Sequence, residues 1–204
     1  MRFNKFDSYQ EYVETQQQLS RKKVRRRRVR VFTVPQVVDT ICRYYRGFLL
    51  QRVDYGCCHG VRQGAEVDMM AKSMGGDWIG TEITPELCDG VKVICADFSL
   101  ERPEWLNRFD VIYTNSFDHA LDPYKTADVW VKSLSPRGRL FVEWNPWSNK
   151  LGGSSGPSKA DCFAGSLEEY ISIFTHVADV ETVLEAPQDD PRFVRSLIVV
   201  KADT

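Results

Sequence analysis

Two clusters in this chain have the residue types that do chemistry. The first is Asn115-Ser116-Phe117-Asp118-His119. His119 titrates near neutrality and could take a proton from a reacting group. Asp118 could orient that imidazole or bind a substrate, and the pair could equally cap a following helix. The second is Glu143-Trp144-Asn145-Pro146-Trp147. An acid, an amide and two indoles could line a pocket for a ring or a sugar, although Trp144 could also be core. A third stretch, Val53-Asp54-Tyr55-Gly56-Cys57-Cys58-His59-Gly60, reads as a strand running into a turn and a helix. Glycines there let a ligand approach the backbone, and the helix start offers unpaired N–H groups. Glu82 follows Gly60 by 22 residues, a distance that suits an acid on the two hydroxyls of a ribose.

The turn is wrong for a pyrophosphate. Gly56, Gly60 and Gly64 are four apart, so G-x-G-x-x-G is not met, and no G-x-x-x-x-G-K-[ST] is present. A ligand with a ribose and no phosphate fits better. The reading of His59 is contact with that ligand's region, and of His176 a structural role.

The elements that must hold these residues alternate in type. Strands are predicted at 48–55, 77–82, 91–96, 109–115 and 139–144, with two more near 177–185 and 192–201. Helical stripes lie between them, such as Tyr124, Ala127, Val131 and Leu134, or Leu167, Tyr170, Ile171 and Phe174. Short buried strands alternating with helices predict a doubly wound α/β sheet, mostly parallel. The closing pair, joined by the turn-rich 186–191, is expected to be antiparallel at one edge. Ahead of the sheet, a helix is predicted from about Phe6 to Lys23. A second starts at Thr33-Val34-Pro35-Gln36, with Thr33 as cap. The chain therefore divides into a helical extension, 1–48, and a sheet domain, 49–204. The Gly/Ser-rich 152–158 could be a lid or a plain surface loop.

From about Leu50 to Thr204 the chain resembles the class I S-adenosylmethionine-dependent methyltransferases. Asp54, Gly56 and Gly60 match the acid and the first and third glycines of that family's first motif, with Cys58 in place of the middle glycine. Glu82 matches the ribose-binding acid. Asp97 in Ala96-Asp97-Phe98 matches the acid that meets adenine, with Phe98 beside the ring. Phe109 to Asn115 resembles the fourth strand, and Ser135 to Leu140 the turn into the fifth. The resemblance implies a Rossmann-like sheet of seven strands with an antiparallel last strand, and S-adenosyl-L-methionine as cofactor. It implies cofactor contacts from Asp54, Gly56, Cys58, Gly60, Glu82, Asp97, Phe98 and Asn115. Ser116, Glu143, Trp144 and Trp147 fall on the substrate side, and His119 with Asp118 on the catalytic one. The Asn-Pro-Pro-Tyr signature of amino methylation is absent.

Bulk composition bounds the rest. The 204 residues are 43% hydrophobic and 27% charged, ordinary for a folded protein. No apolar run approaches the ~20 residues of a membrane span, and the first residues have no apolar signal core, so a cytoplasmic protein is expected. The six cysteines form no C-x-x-C pair, and no histidine spacing suggests a zinc cage; no metal is expected. Positions 21–30 hold eight basic residues, leaving 19 against 28 acids elsewhere. That run is either a solvated helix end or an anion-binding arm. Because the remainder is acidic and shows no separate recognition domain, a small-molecule or sugar-type acceptor is expected first. An RNA-directed methyltransferase using the arm, or a catalytically inactive cofactor-binding protein, are the alternatives.

Overall fold

The computed structural model describes residues 1–25, 33–146, 161–188 and 195–202. Seven strands form one sheet in the order β4-β3-β2-β5-β6-β9-β8. They are β2 (Tyr55–His59), β3 (Asp77–Glu82), β4 (Val93–Cys95), β5 (Phe109–Thr114), β6 (Leu134–Trp144), β8 (Asp179–Ala186) and β9 (Arg195–Lys201). The first five run parallel, and β9 is antiparallel to both neighbours, β6 and β8. This is the predicted architecture. A short antiparallel pair, β1 (Arg2–Phe3) with β7 (Phe163–Ala164), was not foreseen.

Each sheet face carries its own core. On one, α2 (Pro35–Cys42) with the turn that continues it and α3 (Ala65–Met74) pack Val37, Ile41, Tyr45 and Met70 against Val111, Tyr113 and Phe141. On the other, α4 (Pro123–Ser133) and α5 (Leu167–Phe174) bring Trp130 and Phe174 onto Ile112, Leu140 and Ile198. Adjacent residues of one strand serve opposite clusters, Cys57 the second and Cys58 the first, as the strand's period of two requires. Both α4 and α5 start on side-chain caps. Asp122 accepts the Lys125 N–H, and Ser166 with Glu169 forms a capping box. Among the described residues, no helix is long and apolar enough to cross a membrane.

The first sheet strand corrects the expectation of 48–55. Helix α2 continues through a wider turn, Arg43–Phe48, in which Phe48 stacks on Tyr44 at 5.4 Å. Phe48 and Leu50 are exposed, at 72% and 82%, so that apolar run serves no sheet. The strand comes later, at Tyr55. Asp54 therefore precedes the strand and lies at the end of the sheet away from the ligand crevice. Gly56 and Cys58 lie inside the strand, not in the turn.

Gly56 has its own packing reason. A Cβ there would come within 2.5 Å of Cε2 of Trp78, its partner across the parallel β2–β3 pair. The glycine makes room for an indole. Gly56→Ala should thus cost about 1–3 kcal/mol of folding stability through overpacking, measured by urea denaturation, and leave ligand affinity unchanged. Lost affinity at unchanged stability would return Gly56 to the ligand site.

The sheet order reverses between β2 and β5, which leave in opposite directions for their next neighbours. In open α/β sheets, ligands bind in the crevice at the carboxyl ends of such a pair. Helix α1 (Tyr9–Arg25) lies across that crevice. It is tied down by Gln17 Nε2 on the Ile83 carbonyl at 3.1 Å and by Arg21 on both carboxylate oxygens of Glu86.

Candidate functional site

The turn after β2 is Gly60-Val61-Arg62-Gln63-Gly64. Three of its residues have left-handed backbones: Gly60 at φ 75°, Arg62 at 50° and Gly64 at 76°. Glycine does this freely, whereas for arginine it costs about 1–2 kcal/mol. Gly60 also needs the space, since a Cβ there would meet Ser116 Cβ at 2.6 Å. The loops after β2 and β5 touch at this point.

Glu82 ends β3 beside this turn and is buried. Its Oε2 accepts the Arg62 N–H at 3.1 Å, and Oε1 accepts the Thr84 N–H at 2.9 Å. Asp97 follows β4. Its Oδ1 accepts the Ser99 N–H and its Oδ2 the Tyr9 hydroxyl of α1, both at 2.8 Å. Each carboxylate oxygen keeps a second lone pair for a ligand. Phe98 is fixed from behind, where Trp130 donates its indole N–H to the Phe98 carbonyl at 2.9 Å.

Glu82, Asp97 and Phe98 open on one cleft, which Gly60, Arg62, Ser116 and His119 also line. Helix α1 roofs it through Tyr12, Gln16, Leu19 and Ser20. The structure therefore brings together the predicted Gly60, Glu82, Asp97, Phe98, Ser116 and His119. It does not bring Asp54, Gly56 or Cys58 to them.

Asp118 and His119 lie in a short helical turn after β5, and the helix cap they might have supplied is made by Asp122. Cys162 binds this turn, its N–H donating to the Asp118 carbonyl at 2.7 Å and its thiol to the His119 carbonyl at 3.1 Å. Asp161 comes along. One potential metal-ligand atom from each of Asp118, His119 and Asp161 lies within 4.8 Å of the others.

In the second cluster, Glu143 and Trp144 are corrected. Glu143 is buried and committed inside the protein: Oε2 accepts the Tyr113 hydroxyl at 2.6 Å and Oε1 accepts from Arg195. Burial raises its pKa, with Arg195 and Tyr113 pulling the other way. Trp144 packs against the core of the α4–α5 face and donates its indole N–H to the Gly165 carbonyl at 3.1 Å. Trp147 lies outside the described residues, as do the 152–158 segment and the basic residues from 26 to 30. Asn115 is not among the cleft-lining residues; it donates to Thr33 Oγ1 at 3.0 Å and accepts from the Ser116 hydroxyl at 3.1 Å. Thr33 in turn bonds the Tyr113 hydroxyl at 2.8 Å and does not cap α2. Residues 113, 115, 116, 33, 143 and 195 thus form one polar chain between the sheet and the start of α2.

His59 lies behind the cleft. It is stacked on Trp130 at 5.0 Å, with Nδ1 against Thr81 Oγ1 at 3.0 Å and a buried, unbonded Nε2. Burial lowers its pKa from 6.5 to about 3, so it is neutral. His176 bonds the Ser172 carbonyl one helical turn back, and Tyr124 packs edge-on against its ring.

The residues missed from sequence are Arg62 and the roof of α1. The usable signal for Arg62 was the pair Gly60 and Gly64, which bracket the turn four residues after the glycine spacing first chosen.

The chain has the Rossmann-like fold of the class I S-adenosylmethionine-dependent methyltransferases. No protein-family model and no curated protein matches its sequence. Solved structures match it in fold. The 1,6-didemethyltoxoflavin-N1-methyltransferase of Burkholderia thailandensis superposes with a TM-score of 0.69 at 12% identity, over 98% of this chain and 93% of that one. A TehB-like S-adenosylmethionine-dependent methyltransferase of Corynebacterium glutamicum gives 0.60 at 12%, over 93% and 98%. The [4+2]-cyclase SpnF gives 0.64 at 11%, over 83% and 82%. At these identities the likeness establishes the fold alone, and function has to be argued from the site.

Proposed function

We propose that the protein is an S-adenosylmethionine-dependent methyltransferase acting on a small-molecule or sugar-type acceptor. The observation that carries this is the pairing of Glu82 and Asp97, acids on neighbouring strand ends, with Phe98 between their cleft and Trp130. One acid suits a ribose diol, the other the amino group of adenine, and the Phe98 ring the face of the base. The turn at Gly60 has neither the glycine pattern nor the lysine of a phosphate cradle. The bound cofactor would supply the electrophilic methyl group on sulfonium. The protein's part is to hold and align the acceptor. His119, on the cleft wall near Ser116, would take the acceptor's proton, and Asp118 would orient it. One fold neighbour supports a small acceptor, being seen with 1,6-didemethyltoxoflavin and S-adenosylhomocysteine bound.

Calorimetric titration with S-adenosylhomocysteine, NAD and ATP tests the cofactor class. S-adenosylhomocysteine should bind, and the two phosphate-bearing nucleotides should not. Preference for NAD or ATP would overturn the reading.

A further inference from the structure

We propose that Cys88 and Cys95 form a reversible dithiol–disulfide site, whose closure to the disulfide weakens ligand binding in the neighbouring cleft. The site stands on its own geometry, and its control of the cleft rests on the methyltransferase reading above.

The fold brings the two thiols together. Asp89 and Gly90 turn the chain between them back on itself. Asp89 Oδ1 accepts the N–H groups of Val91, Lys92 and Val93 at 2.9, 2.8 and 2.8 Å, and Gly90 takes the left-handed φ of 73° that the reversal needs. The chain then enters β4, where Cys95 pairs in register with Glu82 of β3. The Glu82 carbonyl accepts the N–H of Ala96 at 3.0 Å and the Cys88 thiol at 3.5 Å. One carbonyl thus gathers both cysteines, and their thiols lie close enough to share a hydrogen bond. Cys57 and Cys58 make no such pair, being buried and committed to opposite faces of the sheet. Cys42 and Cys162 donate to carbonyls elsewhere, on Ser73 and His119.

Closure needs a two-electron oxidant, and a low-molecular-weight disulfide such as oxidised glutathione supplies one. Cys95 is exposed and meets the reagent first, while burial, reinforced by Cys95, pushes the half-buried Cys88 thiol up to about 12. Cys95 loses its proton, its sulfur bonds to one reagent sulfur, and the other leaves as thiolate. Cys88 then loses its proton, attacks the Cys95 sulfur and expels the second reagent thiolate. The two released protons end on the two reagent thiols. The protein is oxidised by two electrons, the reagent is reduced by two, and excess thiol reverses both steps. Closure reaches the cleft through Glu82 and Asp97. In the reduced form the Cys88 thiol also donates to the Thr84 carbonyl at 3.3 Å, and the Thr84 N–H holds Glu82 Oε1. The bridge removes that S–H and ties the segment carrying Glu82 to the one carrying Asp97, two residues beyond Cys95. Arg21 of α1 grips Glu86 in the first of these segments, so the roof of the cleft is anchored on the part that is bridged.

The test equilibrates the full-length protein with oxidised glutathione or with dithiothreitol. Peptide mass mapping of the oxidised parent should show the Cys88–Cys95 bridge. Calorimetric titration with S-adenosylhomocysteine should show about tenfold weaker binding by the bridged form, within the range of coupling between linked sites, and dithiothreitol should restore it. Serine keeps a donor for the two carbonyls, so Cys88→Ser and Cys95→Ser should bind like the reduced parent under both conditions. Linkage is reciprocal, so saturating ligand should shift the bridge's equilibrium toward the dithiol by the same factor. Absence of a bridge between these residues overturns the proposal. So does a bridged protein that binds as tightly as the reduced one, or a serine variant that still loses affinity on oxidation. A parent that binds ligand in neither state overturns the cofactor reading, and the control of the cleft with it, while the mass map still decides the dithiol site.

Discussion

Glu143→Ala should lower folding stability by about 3 kcal/mol, the low end for breaking a buried ion pair. Its carboxylate is 1% exposed, against 21% for the Arg195 side chain, hence the low end. The loss comes from what the carboxylate leaves behind. Arg195 on β9 would lose its charge partner, and the Tyr113 hydroxyl would lose its acceptor at a position with no access to water. Glu143→Gln keeps an acceptor for Tyr113 and should lose less. Urea denaturation of parent and both variants checks the order. Affinity for S-adenosylhomocysteine should not change, because Glu143 is absent from the cleft wall. An alanine variant as stable as the parent would contradict the buried pair, and a loss of ligand affinity alone would return Glu143 to the substrate side.

Acid should destabilise the protein through His59 well before its carboxylates titrate fully. The unfolded chain protonates this imidazole near pH 6.5, while the folded protein resists down to about 3. A depressed histidine pKa means that the unfolded state binds more protons between those values, so stability falls as pH drops through 6.5. From pH 7 to pH 5 the loss is about 2 kcal/mol, at 1.36 kcal/mol per unit below the unfolded pKa. Burial raises the Glu143 and Glu66 carboxyls, which act in the opposite sense. The clean measurement is therefore the difference between parent and His59→Phe, a ring that can still stack on Trp130. The parent's stability should fall relative to the variant by about 2 kcal/mol over that interval. Parallel pH profiles would mean that His59 can charge in place.

What the sequence revealed follows from which interactions are local. Strand β3 was legible at its full span, and Glu82 and Asp97 with it, because a strand's end fixes where its last acid points. The first strand was not. Its Gly-Cys-Cys core lacks β-branched residues, while in the more apolar Phe48 to Leu50 nearby, Phe48 ends a helical turn and both Phe48 and Leu50 stay exposed. Asp54, Gly56, Cys58 and Gly60 repeat at intervals of two and imitate a ligand turn, but Gly56 is there for Trp78. The real turn, centred on Arg62, has an arginine where glycine would be looked for. Glu143 and Trp144 sit at a strand end facing the right way by pattern. Only the distant partners Arg195, Tyr113 and Gly165 show that both are committed inside the protein. Tyr9 on Asp97 and Gln17 on Ile83 join segments 88 and 66 residues apart, beyond the reach of any local spacing.

The most direct test of the central claim is calorimetric titration of S-adenosylmethionine into the parent and into Glu82→Ala, with the variant's melting checked to confirm that it is folded. The parent should bind, and the folded variant should lose at least about tenfold in affinity, the scale of one charged hydrogen-bond acceptor. Equal binding by both would remove Glu82 from the site. No binding by the parent would contradict the methyltransferase reading of this cleft.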